Sequence, residues 1–128
     1  MSLVAPLSRV LGLGSAKEGV DHWWSQRITA VALVPLGLWL AVSFLGLDDF
    51  SFVSVVTFIQ SPLNSVLLIL TLLTLTYHSQ LGVQVVIEDY VHGEGAKILL
   101  IVFVTFAHAA AAVAGVFAIL KVAFGAPG

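Results

Sequence analysis

Apolar residues run without a charged side chain through 28–47, through 63–87 and through 98–120. Crossing the hydrocarbon core takes about 20 helical residues, so each run is long enough to span a bilayer. Backbone N–H and C=O groups find no water in lipid, which makes these runs helices rather than isolated strands. The pattern predicts an all-α integral membrane protein, one domain over 1–128, with three transmembrane helices and a preceding segment over 1–27. Asp48 and Asp49 close the first helix. Residues 50–59 are apolar but only about half the length of a span. Hydroxyls recur there at Ser51, Ser54 and Thr57, along one side of a short helix expected to lie in the membrane interface. Gln60-Ser61-Pro62 opens the second span with proline in its first turn. The second connection, 88–97, is short and polar, and its glycines permit a tight turn. Pro35 lies about two turns into the first helix and is expected to kink it.

Composition supports lipid as the solvent. The 128 residues are 59% hydrophobic and 9% charged, where soluble domains carry about 25% charge. A net charge of −2 argues against a nucleic-acid partner. The chain has no cysteine, which excludes disulfides and any iron–sulfur ligation by its own side chains. The weak apolar run at 3–7 is broken by Pro6 and Arg9 and does not read as a secretory signal. Arg9, Lys17 and Arg27 precede the first span, and Lys97 lies in the second connection. With three spans these share one side, against Lys121 alone on the other. The positive-inside rule then puts the N-terminus in the cytoplasm and the C-terminus in the periplasm, across a bacterial inner membrane.

The second helix carries the polar information. At 100° per residue, Thr71, Thr74, His78, Gly82 and Asp89 fall on one face, within roughly 80°. Tyr77, Gln80 and Gln84 form a second polar strip on the far side. A helix with two polar strips is packed by protein on most sides. His78 lies about ten residues from the cytoplasmic end, so roughly 15 Å deep. A neutral imidazole there requires a partner: haem iron is one, a hydroxyl or carbonyl another. Gly82, one turn on, leaves room for a flat macrocycle or, equally, for close helix contact.

His108 has a depth matching that of His78. It is either a second axial ligand or a helix-packing histidine bonded to a neighbour. The strip of Ala107, Ala111 and Gly115 beside it suits close helix contact and favours the packing role. Asp89 and Tyr90 end the second helix, and Gln26 and Arg27 open the first; these are expected at one level. Together they offer hydrogen bonds to a quinone carbonyl or a haem propionate. By position alone they are ordinary headgroup anchors, as are His22, Trp23 and Trp24. His92 reads as a solvated loop histidine. No serine–histidine–acid set or phosphate-binding loop is present. No embedded carboxylate or inverted repeat points to a transporter.

Two motifs sharpen the reading. One is Gly19-Val20-Asp21-His22-Trp23-Trp24-Ser25-Gln26-Arg27-Ile28-Thr29-Ala30; the other runs from His78-Ser79-Gln80-Leu81-Gly82 to Asp89-Tyr90-Val91. Together they resemble the smaller hydrophobic anchor subunit (the D subunit) of succinate dehydrogenase, respiratory complex II, in its alphaproteobacterial and mitochondrial form. The resemblance covers nearly the whole chain. It implies three helices forming half of a two-subunit haem-binding bundle, with His78 an axial ligand of haem b and the second ligand from a cytochrome b-type partner anchor. It implies Tyr90 and Asp89 at a ubiquinone site, and Arg27 near haem propionates and quinone. FAD and iron–sulfur clusters would belong to separate flavoprotein and iron–sulfur subunits. Anchors of fumarate reductase are related, and some relatives lack haem; a cofactor-free structural subunit is the alternative.

Overall fold

The computed structural model describes residues 16–125, and the side chains from Gly19 onward. The apolar run at 3–7 and Arg9 lie outside the described residues. Four helices follow one another: α1 (Ala16–Leu45), α2 (Phe52–Gln60), α3 (Pro62–Tyr90) and α4 (Glu94–Ala123). Of these, α1 from Gly19, α3 and α4 are long and apolar enough to cross a membrane.

The apolar runs locate the helices but understate their length. α1 begins at Ala16, twelve residues ahead of the uncharged run that starts at Ile28, and continues through Pro35 to Leu45. Its early turns carry Asp21, His22, Gln26 and Arg27, and backbone bonding does not depend on apolarity. α2 confirms the short helix between the spans. Ser51 caps it by accepting from the Ser54 amide at 3.3 Å, a saturated N-terminal donor that a hydrophobic cap would leave open. Asp49 accepts from the Ser54 hydroxyl and from the Ser51 amide. These bonds, the Ser54 hydroxyl foremost, hold its carboxyl below the ordinary carboxylate range. Pro62 starts α3 where its missing N–H costs nothing. α4 has Glu94 in its first turn and Lys121 in its last, both favourable to the helix dipole.

α3 is the central element. It packs against α1 on one flank and α4 on the other, while α1 and α4 do not pack together among the described residues. α2 lies across the Pro62 end of α3 and the far end of α4. Gln60 donates there to the Gly125 carbonyl at 3.1 Å, and Asn64 to the Phe58 carbonyl at 3.0 Å. Phe58 stacks on Trp39 at 6.2 Å and meets Phe44 edge-on at 6.1 Å, which ties α2 to α1. The interior is thin: Leu36, Leu81 and Ile87 are its buried apolar side chains, with Ser65 and Thr71 beside them. Both polar residues bond within their own helix, Ser65 to the Pro62 carbonyl and Thr71 to the Leu67 carbonyl. The many exposed aliphatic and aromatic side chains suit lipid and a protein partner rather than water.

Gly115 packs tightly against α3. A Cβ there would meet a Leu72 methyl carbon at 2.5 Å. The alanines expected to extend this contact do not: Ala107 and Ala111 are exposed, and the interface runs instead through Val104, His108, Ala112 and Gly115. Spacing by four drifts around a 3.6-residue helix, so only one end of such a strip stays in contact.

Candidate functional site

His78 sits on the α1 side of α3, and α1 supplies its partners. Thr29 Oγ1 lies 2.9 Å from His78 Nδ1. The same hydroxyl lies 2.7 Å from the Ser25 carbonyl and 3.1 Å from the Gln26 carbonyl. A hydroxyl has one proton, and carbonyl oxygens can only accept. Thr29 therefore donates back to its own helix and accepts from His78 Nδ1–H. This fixes the neutral tautomer, with the lone pair on Nε2. The Gln26 amide donates toward Nε2 from 3.5 Å, at the outer limit of a hydrogen bond. One ring nitrogen is thus firmly tethered and the other weakly engaged, the arrangement that metal-ligating imidazoles need.

Gly82 lies one turn beyond on the same face. A Cβ on it would have the Gln26 amide nitrogen at 3.6 Å and nothing else within 4 Å. Two buried polar atoms close by on α1, Gln26 Oε1 and His22 Nε2, have no hydrogen-bond partner. Buried polar atoms are ordinarily satisfied, so a pair of orphans one turn apart marks a place that a polar group completes.

His108 belongs to a different setting. Its Nδ1–H donates to the Val104 carbonyl at 2.8 Å, and its Nε2 accepts from the Ser79 hydroxyl at 3.2 Å. Both nitrogens are used within the α3–α4 contact, as a helix-packing histidine requires. It does match His78 in depth, since Ser79 is the next residue.

The expected level shared by Arg27 and Tyr90 does not hold. Gln26 and Thr29 lie beside His78 and Gly82. Along the antiparallel pair Arg27 then stands opposite roughly residue 80, and Tyr90 is about ten residues, or roughly 15 Å, further along. The sequence misplaced Arg27 because α1 was expected to start near Ile28; with the chain already helical at Ala16, Arg27 is three turns inside the described helix. Its guanidinium covers the Trp23 ring at 5.4 Å. Trp23 and Trp24 pack edge to face at 5.2 Å. Asp89 and Tyr90 are exposed at the end of α3, Tyr90 by 78%, and neither bonds to Arg27 among the described residues.

The second polar strip forms a ladder. Gln84 donates to Glu88 at 2.8 Å, and Gln80 donates to Gln84 at 3.4 Å and to Thr105 of α4 at 3.3 Å. The residue missed from the sequence is Thr29. Its signal was available: His22, Ser25, Gln26 and Thr29 recur at helical spacing, a polar stripe that becomes visible once the helix is extended backward.

Three helices long and apolar enough to span a bilayer, with most of their apolar surface uncovered, define a multi-pass membrane protein. The family model described as succinate dehydrogenase/fumarate reductase transmembrane subunit matches residues 1–114, and the chain belongs to that family. A succinate dehydrogenase hydrophobic membrane anchor subunit of Rickettsia bellii is 37% identical over 78% of this chain and 80% of its own. A succinate dehydrogenase membrane anchor subunit of Reclinomonas americana is 36% identical over 66% and 73%. The hydrophobic membrane anchor subunit of Paracoccus denitrificans is 30% identical over 98% and 97%.

Proposed function

We propose that this membrane anchor holds half of a haem b site at His78 and one wall of a ubiquinone site at Tyr90, in a succinate:quinone oxidoreductase. The observation that carries the haem reading is the tethered His78: Thr29 holds Nδ1–H, leaving Nε2 for a ligand. Gly82 leaves the neighbouring face open, and the orphaned Gln26 Oε1 and His22 Nε2 suit a polar substituent there. The residues fit the group. When bound there, haem would supply a one-electron redox centre. His78 would hold the group from this chain, and a cytochrome b-type second anchor would hold it from the other side.

Arg27 lies near the level of His78, which favours a haem propionate over the Tyr90 pocket as its partner. Tyr90 offers a phenol O–H to a quinone carbonyl, and Asp89 a carboxylate beside it. Succinate oxidation belongs to flavoprotein and iron–sulfur subunits that dock on the same side. We read that side as the cytoplasm of a bacterial inner membrane, since Arg9 and Lys17 precede the first span and Lys97 lies in the second connection, against Lys121 alone at the other end. The test is purification in mild detergent. Flavoprotein, iron–sulfur and second anchor chains should co-purify with b-type absorption bands. The same four chains without those bands would remove the haem and leave a structural anchor.

A further inference from the structure

α3 turns His78 and Gly82 toward α1. Its opposite side carries Leu73, Tyr77 and Gln80, with Gln80 turned about 200° from His78. On that side α3 and α4 enclose a groove of about 250 Å³ whose polar lining includes Tyr77, Gln80, Thr105 and His108. It shares Leu73 and Ala112 with a second groove of about 330 Å³, lined by Val113, Val116 and Phe117. The polar part lies near the middle of α3, and the apolar part runs on toward the α2 end.

Most polar groups in the groove are spoken for. The Thr76 and Thr105 hydroxyls donate to the Leu72 and Ile101 carbonyls, each at 2.8 Å. His108 uses both nitrogens. The Gln80 amide nitrogen donates to Thr105 and Gln84. Two groups remain without partners among the described residues: the Tyr77 hydroxyl, a donor, and Gln80 Oε1, an acceptor. Tyr77 is 48% exposed. In hydrocarbon such groups call for a polar partner.

The occupant must then carry a polar head at mid-membrane and a single apolar tail. A phospholipid headgroup stays at the surface, roughly 15 Å away from the middle of the core. A lipid-soluble quinone meets both conditions: its carbonyl accepts from Tyr77, and its reduced hydroxyl donates to Gln80 Oε1. We propose that the α3–α4 groove binds the ring of an isoprenoid quinone or quinol, tail along Val113, Val116 and Phe117, at a site separate from Tyr90. The inference rests on the complex handling quinone; binding alone is proposed, without electron transfer.

The experiment is photolabelling of the purified complex with an azido-ubiquinone analogue, followed by peptide mapping. Label is expected on α3 and α4 near Tyr77 and Ala109 as well as near Tyr90. Ala109→Phe fills the groove and should abolish the groove label, leaving the Tyr90 label and the quinone reductase rate intact. Tyr77→Phe keeps the packing and removes one hydrogen bond, so about five- to tenfold more analogue should be needed to saturate the groove label. Label near Tyr90 alone, an unaltered groove label in both variants, or cross-linking of the groove to another protein chain would each overturn the proposal. Absence of label at both places, with no quinone reduction, would instead sink the reading on which it rests.

Discussion

Thr29 on α1 accepts a hydrogen bond from His78 Nδ1 on α3 at 2.9 Å, and it does so because its own proton is committed to the Ser25 carbonyl. The bond fixes both the tautomer and the ring plane. Thr29→Val keeps the shape and removes the acceptor, leaving a buried Nδ1–H unmet at a cost of about 1–3 kcal/mol. A shifted haem midpoint potential and altered low-spin EPR signal are expected, with Thr29→Ser restoring both. Unchanged values in Thr29→Val would mean that the tether does not position the ligand.

His78 and His108 are separated by their bonding. His78→Ala should abolish or shift the b-type spectrum. His108→Ala removes a ring already satisfied by Val104 and Ser79, and should leave bis-histidine ligation intact. Loss of the spectrum only in the His108 variant would reverse the assignment.

Tyr90 is exposed at the end of α3. Tyr90→Phe retains the ring and removes the donor, worth about 0.5–1.5 kcal/mol. Assembly and haem content should survive, while the quinone reductase rate falls relative to succinate oxidation with an artificial acceptor. An unchanged ratio of the two rates would remove Tyr90 from the site.

Gly115 of α4 packs against the Leu72 side chain of α3 with no room for a Cβ. Gly115→Ala forces only the end of a flexible leucine to move and should be mild. Gly115→Leu has no such escape and should lower the thermal stability of the detergent-purified complex, by about 1–3 kcal/mol as overpacking does. Equal melting temperatures for wild type and Gly115→Leu would show that this approach is not tight.

Arg9 and Lys17 ahead of the first span and Lys97 in the second connection, against Lys121 alone, point to a cytoplasmic N-terminus and a periplasmic C-terminus. A reporter active only in the periplasm, fused after Gly128, should be active. Activity from a cytoplasm-only reporter at the same place would invert the topology.

Three spans, the short helix between them and the mid-span position of His78 were legible in the sequence. Uncharged length is a direct demand of the hydrocarbon core, and it survives any packing arrangement. The motifs around His22–Ala30 and His78–Val91 carried the family as well. What the sequence misjudged was the start of α1, because apolarity marks where lipid is and not where backbone hydrogen bonds begin. That error propagated: it set Arg27 level with Tyr90, when the helix pairing puts Arg27 near His78. It also hid Thr29, whose value depends on which residue faces it across two helices. The same holds for His108 and the alanine strip, where spacing suggests a face but only the rotation of α4 against α3 selects it. Tautomer, tether and groove are properties of the contact between helices; no single helix contains them.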